Sequence, residues 1–215
     1  MDLYEELAEF VNQDLALVKQ RCRIAGIELA YQWEDQKDDP IAYYRDSDLY
    51  IFDLTGYQTA LKNHDFHSWY QNLIKNYGWK TGLDFGGGIG EYTIVACQNG
   101  VEMDFSEVED SQTLRYAHHR FEHHIIVAGK NAVNSPVIHS ENYLPDKDFD
   151  FIVAMDVFEH MEKPEPVIKA IAEHTKYLFC NPEQIKFNWL YPQHISKFTL
   201  EPYFENIGLY LWRRK

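Results

Sequence analysis

The segment Gly82-Leu83-Asp84-Phe85-Gly86-Gly87-Gly88-Ile89-Gly90-Glu91-Tyr92-Thr93 carries the most pointed chemistry in the chain. An apolar run enters a glycine-rich turn, and a helical pattern follows. Glycine lets the backbone approach a ligand closely, and the start of the next helix offers unpaired N–H donors. A dinucleotide fingerprint begun at Gly86 needs a glycine where the chain has Glu91, so an oxidoreductase reading is disfavoured. The pattern is instead Asp84-x-Gly86-x-Gly88-x-Gly90. A carboxylate before the turn would repel a pyrophosphate, and a cationic ligand with an amino acid end suits it better. Asp104 stands 18 residues after Gly86 in Met103-Asp104-Phe105-Ser106. That is near the offset of about 20 at which a strand-end acid accepts ribose hydroxyls. A second cluster, His118, His119, His123 and His124, puts His119 and His123 on one helix face. Neither a Cys nor an HExxH pattern accompanies it, so a solvated face is expected and no metal site.

These residues need elements to position them. After Trp79 the chain alternates: strand at 83–85, helix 91–98 stopped by Asn99-Gly100, strand 101–105, helix 111–124, strand 137–138. Then come strand 149–155, helix 164–174, strand 177–180, helix 200–206 closed by Gly208, and strand 209–212. Alternating strand and helix implies a parallel sheet covered on both faces. Before Trp79 the texture is helical. Leu3, Leu7, Phe10, Val11, Leu15 and Val18 predict one helix over 2–24, a polar loop follows at 33–40, and residues 41–78 are helical and rich in Tyr, Trp and His. The expected organisation is a helical N-terminal cap, 1–78, and a ligand-binding core, 79–215.

Composition narrows the class. The 215 residues carry 20 Lys+Arg against 34 Asp+Glu, a net charge of −14, which disfavours nucleic acid and anionic membrane partners. Cys22, Cys97 and Cys180 are too few and too far apart for a disulfide scaffold or a CxxC zinc site. The start, MDLYEELAEF, lacks a basic and an apolar region, and no run reaches the roughly 18 apolar residues of a membrane span. A cytoplasmic location is expected.

Over roughly residues 78–212 the chain resembles the class I S-adenosylmethionine-dependent methyltransferases. Asp84-Phe85-Gly86-Gly87-Gly88-Ile89-Gly90 looks like that family's first motif. Asp104-Phe105-Ser106 resembles the second, whose acid binds the ribose, and Ser140-Glu141-Asn142-Tyr143-Leu144-Pro145 the segment that contacts adenine. The run from Phe149 to Met161, with Asp156, Glu159 and His160, is close to the fourth-strand signature of the small-molecule branch. His194, Phe198-Thr199 and the stretch ending at Gly208 are also typical of that branch. The resemblance implies a doubly wound, mostly parallel Rossmann-like sheet, S-adenosylmethionine as cofactor, and a small-molecule acceptor methylated on O, N or C. It also implies cofactor contacts from Asp84, Gly86, Gly88, Gly90, Asp104, Phe105, Ser140 and Glu141. One departure stands out: only about three residues follow strand 209–212, so either the seventh strand of the family's closing hairpin is missing or one strand is misplaced.

Methyl transfer is an in-line displacement that depends on positioning, with a general base where the acceptor holds a proton. His160 and His194 are the candidate bases, and Asp156 is expected to orient the methionine end. Tyr50 or Arg45 would meet the cofactor carboxylate, from a Tyr43–Tyr57 run that could close as a lid. Phe187, Trp189, Leu190 and Tyr191 suit an apolar substrate wall. The competing function is a methyltransferase-fold binding or scaffold protein without catalysis. Methylation of nucleic acid is disfavoured by the charge and because Asn181-Pro182-Glu183-Gln184 only partly matches the relevant tetrapeptide. A homodimer is compatible with the aromatic content.

Overall fold

A computed structural model describes residues 2–62, 66–126, 135–181 and 191–215. Two helices open the chain, α1 (Leu3–Val11) and α2 (Leu15–Gln36). The single helix expected over 2–24 is thus broken. Asn12 takes the left-handed conformation (φ 50°) and its N–H caps the carbonyls of Ala8 and Glu9. Asp14 then accepts from Ala16 N at 2.8 Å and starts a new helix. That helix runs through most of the expected loop at 33–40, which shrinks to 37–39. Helices α3 (Pro40–Asp46), α4 (Tyr50–Lys62) and α5 (Phe66–Tyr77) follow.

The sheet has the order β3-β2-β1-β4-β5-β7-β6 among the described residues. Its parallel strands are β1 (Thr81–Phe85), β2 (Glu102–Ser106), β3 (Val137–His139), β4 (Phe149–Ala154) and β5 (Thr175–Cys180). Helices α6 (Glu91–Gln98), α7 (Gln112–Phe121) and α8 (Glu165–His174) connect them. The order reverses between β1 and β4, and their carboxyl ends open a crevice there.

The seventh strand is present, so the second alternative holds: the sequence reading misplaces a strand. Residues expected as a helix over 200–206 instead lead into β6 (Phe204–Gly208), and β7 (Leu211–Arg214) pairs antiparallel with both β5 and β6. Only Phe204 of β6 is buried, so this edge strand shows no alternation to read. The expected strand 209–212 starts two residues late, because Leu209 and Tyr210 make the turn.

Two clusters cover the sheet. One joins β2, β4 and β5 to α6, α7 and also α5, through Phe66, Tyr70 and Ile74. The other packs α8 against the opposite face with Leu83, Ile152 and Leu178. By its packing α5 therefore belongs to the sheet layers. A third cluster sets Leu7, Val18, Ala25, Ile51 and Phe52 of α1, α2 and α4 against Ile89 and Tyr116. It holds the N-terminal helices over the glycine turn.

Buried charge reinforces that junction. Arg120 of α7, 1% exposed, reaches Glu6 of α1 at 3.1 Å, the Ile89 carbonyl at 2.7 Å, and Glu91 at the start of α6. His124 adds a 2.8 Å contact to Glu6, and His67 of α5 lies 3.2 Å from Glu91. The histidine cluster is thus divided: His124 faces Glu6, while the His119 and His123 rings sit 4.3 Å apart.

Candidate active site

At the switch point lies a cavity of about 520 Å³, open on one side and closed from above by the cap. Its floor is the turn from Phe85 to Ile89, with Ser106 to Val108 after β2 on one flank and Met155 to Val157 after β4 on the other. Its roof is Tyr44, Tyr50, Asp53, Leu54, Tyr57 and Gln58, from α3 and α4. The expected lid residues Tyr44, Tyr50 and Tyr57 do face the cavity. Arg45 does not: it lies exposed and pairs with Asp46 at 2.9 Å.

The glycines divide in purpose. Gly88 has φ +57°, and an added Cβ would meet only Leu54 of the roof, at 3.1 Å, so its open side faces the cavity. Gly90 has φ +75°, but a Cβ there would strike the Phe121 ring at 2.4 Å. Gly90 serves the packing of α6 on α7 and does not line the cavity. Asp84, 1% exposed, accepts from Thr93 N at 3.2 Å and Thr93 Oγ1 at 2.8 Å, which pins the start of α6. Burial pushes its carboxyl up to about 7.

The acid after β2 differs from the one the spacing favoured. Asp104 sits mid-strand, paired between Leu83 and Val137, and outside the cavity lining. Its oxygens meet His139 at 2.8 Å and Lys147 at 3.0 Å, an anchor between β2, β3 and the approach to β4. Three residues on, Glu107 is in the cavity wall. Its Oε2 accepts from Gly88 N at 2.7 Å and its Oε1 from Val108 N at 2.8 Å. Burial, aided by Glu141, holds its carboxyl above the usual range despite those two donors. The missed signal was strand length: β2 runs to Ser106, so its end carries Glu107. Phe105, also expected at the cofactor, is fully buried against Phe121 with its ring 5.1 Å away. Of the adenine candidates, Glu141 lines the cavity and Ser140 does not. Glu141 accepts from Glu109 N at 3.1 Å.

After β4, Asp156 has φ 55°, an uncommon conformation for a side-chain-bearing residue and one that concentrates at functional sites. Its carboxylate accepts from Asn181 and Tyr57, and burial raises it. Opposite, Asp53 of α4 has no hydrogen-bond donor among the described residues. Burial and the Asp156 charge push it up to about 6.

Both expected bases line the cavity. His160 Nδ1 lies 2.8 Å from the Tyr44 hydroxyl and 3.3 Å from the Gln193 carbonyl. Burial, and His194 beside it, push His160 down to about 3, so the ring stays neutral. The His194 ring is 4.7 Å from His160 and stacks on Tyr191. Glu159 lies buried behind the rim, with burial pushing it to about 7. Of the expected substrate wall, Tyr191 is in place, while Phe187, Trp189 and Leu190 lie outside the described residues. Among the described residues no group of His, Cys, Asp and Glu is arranged to hold a metal ion.

Comparison with known proteins bears on the fold and the family. An O-methyltransferase family protein from Burkholderia thailandensis superposes with a TM-score of 0.54 at 13% identity, covering 88% of this chain and 71% of that one. TehB from Haemophilus influenzae gives 0.47 at 17% identity, covering 69% and 62%. An S-adenosylmethionine-dependent methyltransferase from Clostridium acetobutylicum ATCC 824 gives 0.44 at 16%, covering 54% and 49%, so this chain spans about half of that protein's length. No curated protein matches the chain in sequence. The first of these likenesses supports the fold. The family follows from a model described as a methyltransferase domain, which matches residues 70–213, and the chain belongs to that methyltransferase family.

Proposed function

We propose that the chain binds S-adenosylmethionine in this cavity and transfers its methyl group to a small-molecule acceptor. The observation that carries the reading is Glu107, which grips the Gly88 N–H at the end of β2 while each of its oxygens keeps a lone pair for ribose hydroxyls. The residues fit the cofactor in other respects. Gly88 leaves open the space that a Cβ would occupy, and Asp84, Glu107, Asp156 and Asp53 suit a ligand bearing a sulfonium and an ammonium. No Lys or Arg lines the cavity among the described residues. The cavity volume falls in the range of about 300–1,000 Å³ usual for small-molecule sites.

The cofactor supplies an activated methyl on sulfur. Gly86 and Gly88 bring the backbone against it, Glu107 receives the ribose, Glu141 and Val108 border the adenine, and Asp156 with Tyr57 orients the methionine end. Tyr50 is the cap residue available to the carboxylate, since Arg45 points away. The neutral His160 holds Tyr44 and the Gln193 carbonyl across the roof. His194, beside Asp156, faces the acceptor.

Calorimetry with S-adenosylmethionine and S-adenosylhomocysteine tests the reading. Binding of both is expected, and Glu107→Gln should weaken both. A catalytically inert scaffold need not retain the pocket, so absence of binding would favour that alternative. The charge of −14 supports a partner other than nucleic acid, and no helix among the described residues is long and apolar enough to cross a membrane. A homodimer would use the exposed Leu17, Ile24, Ile27 and Tyr31 of α2.

A further inference from the structure

Asn181 follows directly on β5. The register that sets Ala154 against Cys180 brings it beside the start of the turn that carries Asp156. Asn181 is buried and lies outside the cavity lining, while Asp156 is part of that lining. Its Nδ2 donates to Asp156 Oδ1. The orientation of the amide follows from chemistry. Asn181 Oδ1 is buried without a donor among the described residues, and turning the amide over would press that oxygen against a carboxylate. The end of β5 is itself fixed from β7: Cys180 N donates to the Tyr210 carbonyl at 2.9 Å, and the Cys180 carbonyl accepts from Trp212 Nε1 at 3.3 Å. Asn181 is thus mounted on an interior strand of the sheet, while Asp156 sits in a turn at φ 55°. The last torsion of an aspartate is broad, so its carboxylate takes its direction from the donors that grip it. Tyr57 is a second such donor, from the roof helix α4.

We propose that Asn181 is a positioning residue: from behind the cavity wall it aims the Asp156 carboxylate at the ammonium on the amino acid end of S-adenosylmethionine. The proposal rests on the cofactor reading and adds to it the group that directs Asp156. Asn181 does not touch the cofactor. It occupies one lone pair of Oδ1 and leaves others on the carboxylate for the ligand. Its removal would act in two ways. The carboxylate would lose the donor that fixes its direction from the sheet. It would also hold its charge less well, because burial already raises it and the Asn181 hydrogen bond offsets that burial. A protonated Asp156 has no charge to offer an ammonium.

Calorimetry on the full chain with two ligands tests this. S-adenosylhomocysteine carries the amino acid end, and 5′-methylthioadenosine shares its adenosine and thioether but lacks that end. Asn181→Leu, close in volume, should weaken S-adenosylhomocysteine tenfold or more, about 1.4 kcal/mol, and leave 5′-methylthioadenosine within about twofold. Asn181→Ala should do the same and serves where leucine disturbs the packing. Asp156→Asn keeps a residue type that accepts the left-handed backbone, and it should weaken S-adenosylhomocysteine by itself. Adding Asn181→Leu to that variant should change the affinity by about twofold or less, because two residues that act through one carboxylate do not add. An equal loss for both ligands would show a merely structural role and overturn the proposal. Unchanged S-adenosylhomocysteine affinity in the Asn181 variants, or a full effect of Asn181→Leu on top of Asp156→Asn, would overturn it as well. If Asp156→Asn alone leaves S-adenosylhomocysteine affinity unchanged, Asp156 does not meet the amino acid end, and the proposal falls while the cofactor reading stands. Failure of the wild type to bind S-adenosylhomocysteine would reject the cofactor reading itself, and the role of Asn181 with it.

Discussion

Glu107 and Gly88 are held as a unit, because the carboxylate that faces the cavity also fixes the turn beneath it. Glu107→Gln would place an amide N–H₂ against one of two backbone N–H donors, so it should loosen the turn as well as the ribose contact. S-adenosylmethionine and its demethylated product share the ribose. Calorimetry should show both weakened by tenfold or more, about 1.4 kcal/mol, in this variant. Asp104→Asn, outside the cavity, should leave both within about twofold. Gly88→Ala adds a methyl where the ligand passes and strains a left-handed residue. A tenfold loss of affinity, about 1.4 kcal/mol, should accompany a thermal destabilisation of roughly 1–2 kcal/mol. Unchanged affinity in folded Gly88→Ala would contradict the placement of the cofactor. The glycine pattern and Asp84 were legible from residue spacing alone. The choice of Glu107 over Asp104 was not, since both acids stand within reach of the same offset and only the strand's true end separates them.

Helices α3 and α4 are the elements whose placement decides the site. They supply the roof, and Tyr44 reaches across to His160, as Tyr57 does to Asp156, from a cap that also meets the core at Ile89, Tyr116 and Arg120. A roof over a ligand should order when the ligand arrives. Amide exchange over residues 41–60 is therefore expected to slow on adding S-adenosylhomocysteine. If exchange there responds to protein concentration alone, the segment is an association surface and not a lid. The helical texture of this region was readable, as was the aromatic run. Its break at Asn12 was readable only in part: Asn12-Gln13-Asp14 carries a C-cap and an N-cap residue, but the apolar spacing continues through it. The β6–β7 hairpin was hidden because an edge strand with one buried residue has neither periodicity.

At the scale of the molecule, a buried ion network ties the cap to the core. Arg120 is the cation shared by Glu6 and Glu91, and replacing it with methionine removes that buried charge while leaving His124 beside Glu6 and His67 beside Glu91. Removing one partner of a buried charge group costs about 3–5 kcal/mol, and urea unfolding of Arg120→Met should report a loss of that order. The acids of the site set an opposite trend with pH. Asp84 and Glu159, each pushed to about 7 by burial, hold their protons in the folded chain at pH values where the unfolded chain, near 4, has lost them. These two acids thus bind more protons in the folded chain between about pH 4 and 7 and lower its stability as pH rises through that window, while His160, held down to about 3, acts in the opposite sense below about pH 6.5. Thermal melts should show the ligand-free protein losing stability from pH 5 to pH 8, with a shallower slope in Asp84→Asn. An equal slope in that variant would show that Asp84 is not the titrating group.

The amino-acid order by itself determined the class of fold and the cofactor loop, because both rest on short-range patterns: buried strand, glycine turn, helix, repeated along the chain. It also determined that Glu91 ends any dinucleotide fingerprint, and the structure supplies the reason in the Arg120 partnership. Only the tertiary structure decided which acid lines the cavity, that Gly90 packs while Gly88 faces the open space, and that Arg45 turns outward. Those outcomes depend on where strands end and on which helix face meets its neighbour, and contacts across more than a hundred residues settle both, as with Glu6 and Arg120. The acidic cavity, lined by no Lys or Arg among the described residues, arises the same way: Asp53 and Asp156 lie far apart in sequence, and packing α4 over the switch point brings their charges within reach of each other.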